Sequence, residues 1–95
     1  MPISEIITKI LHPSIARIPS VIPAENLPIV VFVADMIARM NWDPEKFQFI
    51  RSGQDLCIEV NKGTPKNCGA ILTGYSYAYQ VKLVMDSIQA SGLFN

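Results

Sequence analysis

The sequence predicts an α+β fold: a small single domain of two to three helices packed on a short antiparallel β-hairpin or three-stranded sheet. Three observations lead there. The chain has 95 residues, 49% hydrophobic and 17% charged, enough for one core and too few for two, so residues 1–95 are one domain. Apolar residues recur at helical spacing near the N-terminus, in the middle of the chain and near the C-terminus. Between the second and third of these segments, "FQFIRSGQDLCIEV" alternates in character on both sides of a glycine-containing connection, the pattern of a hairpin.

The first helix is expected from about Ser4 to Leu11. Ser4 is a capping type, Glu5 suits the positive end of the helix dipole, and Ile6, Ile7, Ile10 and Leu11 form one face. His12 precedes Pro13, which pushes it out of helical geometry. Prolines at 13, 19, 23 and 28 predict an extended segment, anchored across the core surface by Ile15, Ile18, Val21 and Ile22. "LPIVVFVADMIARMN" then reads as a helix from Pro28 to Met40, with proline at its start. Its acid–base pair Asp35 and Arg39 stands four apart. Elsewhere it is apolar all round, which predicts burial or a shared surface.

Asn41 ends this helix, and "WDPEKF" supplies Asp43 as a cap and Pro44 as the first residue of a single turn. On the first strand Phe47, Phe49 and Arg51 share a face opposite Gln48 and Ile50. On the second, Leu56, Ile58 and Val60 face away from Cys57 and Glu59. The connection is read as Ser52-Gly53-Gln54. Two strands alone are marginal, and "GAILTG", Gly69 to Gly74, is the candidate third. Ser76 caps the last helix, which runs to about Ser91 and is followed by Gly92. Its expected apolar stripe is Tyr77, Val81, Val84, Met85 and Ile88, with Lys82, Asp86 and Gln89 on the wet face.

Eight basic and eight acidic residues cancel, which removes the broad attraction that non-specific nucleic-acid binding needs. Arg51, Lys62 and Lys66 form at most a local basic patch near Phe47, Phe49, Tyr75 and Tyr79, and they argue only weakly for a single-strand binder. "GTPKNCGA" has its glycines six apart, lacks the Lys-Ser/Thr of a phosphate loop, and loses a backbone donor to Pro65. A Cys-dependent enzyme would need a base or cation beside Cys68, and the sole histidine is His12. Two cysteines and one histidine fit neither a disulfide scaffold nor a zinc site. They read as reduced thiols, with no metal, no cofactor and no catalytic residues assigned.

The longest apolar run is far short of the ~20 residues that span a bilayer, and the N-terminus shows no basic region ahead of a long apolar one. These features predict a soluble, cytoplasmic protein. The charged fraction lies below the ~25% usual for soluble domains, which predicts exposed apolar surface and hence association. Tyr75 and Tyr79, four apart on the last helix, bury area while keeping a polar tip. The sequence thus points to a non-catalytic interaction module, a homodimer or larger assembly or one bound to a protein partner, with Tyr75 and Tyr79 at the contact. The alternative is a small-ligand-binding protein with a pocket lined by Trp42, the tyrosines and Met36 or Met40.

Overall fold

A computed structural model describes residues 1–12 and 24–94. The extended segment expected after Pro13 lies outside the described residues, apart from its last few. Among those described, three α-helices, α1 (Ile3–Ile10), α2 (Leu27–Met40) and α3 (Tyr77–Ala90), accompany three strands, β1 (Phe47–Ser52), β2 (Asp55–Val60) and β3 (Cys68–Ile71). The strands form one antiparallel sheet in the order β1-β2-β3. The molecule is an α+β domain.

Alternation sets the sheet's two faces. Phe47, Phe49, Leu56, Ile58 and Val60 are buried under the helices, while Gln48, Ile50, Cys57 and Glu59 lie half-buried on the opposite face, which the helices leave uncovered among the described residues. α3 packs over β3 and β2, α1 packs against β1, and α2 crosses both α1 and α3. The core joins Ile6 and Ile10 of α1, Ile29, Val33 and Ile37 of α2, the sheet's inner face, and Val84 and Ile88 of α3. Beyond α1, the chain runs beside β1 as a parallel bridge between Leu11 and Phe49, with the His12 N–H donating to Phe49 O at 3.0 Å.

Several boundaries differ from the sequence reading, each for a local reason. α1 begins at Ile3, after Pro2, and no side chain caps it. Ser4 lies within its first turn, where its carbonyl accepts from Thr8 Oγ1 at 3.1 Å. The hairpin connection is Gly53-Gln54, since Ser52 pairs with Asp55. Gly53 has φ +61°, which allows a two-residue turn with glycine first and a twist matching the flanking strands. β3 starts one residue before Gly69 and ends at Ile71, because Thr73 turns its hydroxyl back to accept from Leu56 N–H at 2.6 Å.

α3 follows its expected limits. Ser76 Oγ accepts from Tyr79 N–H at 3.3 Å. At the other end Gly92 N–H donates to Gln89 O and Leu93 N–H to Ile88 O, the paired bonds of a Schellman closure. Its buried face is rotated from the expected stripe. Gln80, Val84, Ser87 and Ile88 point inward, whereas Tyr77 is exposed. Gln80 is 2% exposed, and its Nε2 donates to Leu72 O at 3.0 Å and Tyr75 O at 3.1 Å. A glutamine in the core thus satisfies the turn that links β3 to α3.

Candidate functional site

The apolar helix α2 provides the site. Ile29, Val30, Val33, Ala34 and Ile37 fill the core. Asp35 and Arg39 form an exposed ion pair at 2.7 Å and mark the outward face. One turn and two turns back from Asp35 on that face stand Val31, 47% exposed, and Leu27, 48% exposed. Both are large aliphatic side chains left in water by the described residues.

These two side chains wall a cleft of about 650 Å³. Ile3 of α1 and Tyr77 of α3 flank it, Ala24, Pro28 and Phe32 complete its apolar lining, and Asp35 is its single charged group among the described residues. A second, small cleft of about 70 Å³ lies at the other end of α2, beside Met1, Ile37 and Trp42.

Tyr75 and Tyr79 are 50% and 43% exposed, and their rings meet at 4.8 Å between centroids. Tyr79 stands on the flank of α3 away from Tyr77, two residues or about 200° around the helix, and Tyr75, in the bend before α3, leans on it. Trp42 lies elsewhere. It stacks on Phe47 at 5.7 Å and meets Phe94 edge-on at 5.6 Å, tying the end of α2 to β1 and to the tail after α3. α3 separates Phe94 from the tyrosines by its full length, about 20 Å for fourteen residues. Trp42, Tyr75 and Tyr79 therefore do not converge on one pocket. Met36 is half-buried against the core and Met40 is 46% exposed; neither lines either of these two clefts.

The basic residues are also dispersed. Arg51 sits opposite Leu56 at one end of the hairpin, while Lys62 and Lys66 lie beyond the other end of β2, roughly 20 Å away at strand rise. Arg51 is half-buried on the core side, with Nη1 enclosed and without a hydrogen-bond partner among the described residues. The loop at 61–67 feeds β3, not a helix, so it lacks the helix N-terminus that a phosphate loop exploits.

Among the described residues the histidine does not reach Cys68. His12 is bonded along the far edge of β1 and Cys68 is on β3, three strand spacings or about 14 Å apart. Cys68 Sγ donates to Lys66 O at 3.4 Å. Cys57 lies on the uncovered face, where burial, and then the negative charges of Asp55 and Glu59, push its thiol above its ordinary pKa. A thiol held in that direction is a poor nucleophile. Cys57 and Cys68 occupy opposite faces of adjacent strands, offset by three residues, which is beyond the ~7 Å Cα reach of a disulfide. Among the described residues no cluster of three metal-ligating side chains occurs, and no helix is long and apolar enough to cross a membrane.

The chain matches no family model, no curated protein and no solved structure.

Proposed function

We propose that this protein is a non-catalytic interaction module whose working surface is the cleft between the N-terminal ends of α2 and α3. The observation that carries this reading is the exposure of Leu27, Val31 and Tyr77 around one apolar hollow. Contiguous exposed apolar surface of this kind marks a contact. The occupant is an amphipathic helix of another protein. A convex apolar helix face fills such a groove with side chains at i, i+3/i+4 and i+7. The Asp35–Arg39 ion pair at the rim suits a polar flank on that helix. The thiols, too far apart to pair, support a reducing, cytoplasmic setting.

The test is selection of helical peptides from a random displayed library against the folded protein. Recovered peptides should carry an aliphatic stripe at helical spacing and lose binding to Val31→Asp, while Lys82→Ala binds them normally. Peptides indifferent to Val31→Asp, or none recovered, overturn the reading. So does a fall of many degrees in melting temperature for Val31→Asp without loss of binding, because the cleft is then filled by the chain itself.

A second reading rests on size. About 650 Å³ falls within the roughly 300–1,000 Å³ of small-molecule pockets, and an apolar ligand would fit the lining. Native mass spectrometry of the purified protein separates the two, since a bound small molecule adds its mass and blocks peptide binding.

A further inference from the structure

Among the described residues β3 is an outer edge of the sheet. Leu72 N–H donates to Leu56 O at 2.8 Å, and antiparallel pairing alternates residue by residue. Cys68, Ala70 and Leu72 therefore direct their backbone groups at β2, while Gly69 and Ile71 direct theirs outward. Nothing among the described residues pairs with that edge. Ile71 is 53% exposed and stands opposite Cys57 on the uncovered face of the sheet. Gly69 shares that face, and a Cβ there would come 2.7 Å from Ile58 O, so the position stays bare.

We infer that two copies of this chain pair antiparallel through their β3 edges, about a two-fold axis at Ala70, so that each Ile71 lies over the partner's Gly69. In this register each Ile71–Gly69 pair exchanges two N–H···O bonds, and every outward group of β3 is used. Neighbouring registers fail on the backbone. A shift toward the N-terminus pairs Ile71 with Asn67, whose N–H already donates to Thr64 O at 3.1 Å. A shift the other way needs Thr73, which lies in the turn after the strand and is held there by its hydroxyl, the acceptor of Leu56 N–H. The side chains agree: an exposed isoleucine meets a position that admits no side chain, twice, and small Ala70 meets itself on the inner face. Each copy supplies both knob and hole, which is why a second copy is the occupant.

The product is a continuous six-stranded sheet made from two three-stranded ones, with both helical layers on one side. The contact rests on a four-residue strand and four backbone bonds, so the dimer is weak and reversible. It uses no cleft residue and goes beyond the reading proposed above.

Sedimentation velocity across a concentration series tests it. Wild type should pass from monomer to dimer in the high-micromolar range. Ile71→Pro removes a donor that the intramolecular ladder does not use, a substitution edge strands tolerate. Two donors are lost per dimer, so its dissociation constant should rise about five- to one-hundred-fold, with circular dichroism unchanged. Ile71→Lys, a charge that blunts edges, provides a second variant should the proline disturb folding, and it should also yield monomer. Val31→Asp should dimerise like wild type. A wild-type monomer at millimolar concentration overturns the pairing, and so does a dimer equally strong in Ile71→Lys. If Val31→Asp alone dissolves the dimer, copies meet through the cleft; the edge pairing then falls, and so does the choice of a foreign helix as the cleft's occupant.

Discussion

Gln80 shows how a single polar residue can hold a local structure that hydrophobic pattern does not foretell. Its amide satisfies two carbonyls of the turn between β3 and α3 from inside the core. Gln80→Leu keeps the volume and strands both acceptors, which costs about 1–3 kcal/mol and should appear as a lower melting temperature. Sequence periodicity placed Tyr77 on the buried stripe and passed over Gln80, because a helical pattern weighs polarity and has no knowledge of bonds waiting inside. Cys57 offers a second check at this scale. With its thiol held above the ordinary pKa by burial, Asp55 and Glu59, it should alkylate more slowly near neutral pH than a cysteine in a short peptide. Glu59→Gln should speed that reaction, and an unchanged rate would show that the carboxylate does not act on the thiol.

At the level of elements, the strands and the last helix were legible because local chemistry and tertiary environment agree. Phe47, Phe49, Leu56, Ile58 and Val60 alternate and are all buried, and Ser76 and Gly92 bound α3 as their types require. β3 was legible only in part, since its limits depend on the Thr73 bond to a strand seventeen residues away. Tyr75 and Tyr79 test the division between packing and surface on α3. Their rings lean on each other and remain exposed. Replacing both by alanine should change folding stability by no more than about 0.5 kcal/mol per site, measured by thermal or chemical unfolding. Val84→Ala, in the core of the same helix, should cost about 2 kcal/mol. Equal losses for the two variants would make the tyrosine pair a packing element.

For the molecule as a whole, the low charged fraction pointed to apolar surface that must be hidden or shared, and among the described residues Leu27, Val31 and Ile71 are large aliphatic side chains left exposed. The location of that surface was harder to read. The expected contact residues Trp42, Met36 and Met40 are spread through the aromatic cluster and the side of α2, and Arg51 is a sheet's length from Lys62 and Lys66. Leu27 and Val31 were accessible to reasoning, since stepping back by fours from Asp35 along the helix reaches both. What the sequence lacked was the neighbour: Ile3 and Tyr77 reach the same hollow only through the packing of three helices. The account's central claim is that this hollow receives a partner helix. The most direct measurement is amide chemical-shift mapping of the labelled protein titrated with a selected helical peptide. Shifts should concentrate at Leu27, Val31, Phe32 and Tyr77 and vanish in Val31→Asp. Shifts centred instead on Trp42 and Met40, or on Tyr75 and Tyr79, would contradict the claim.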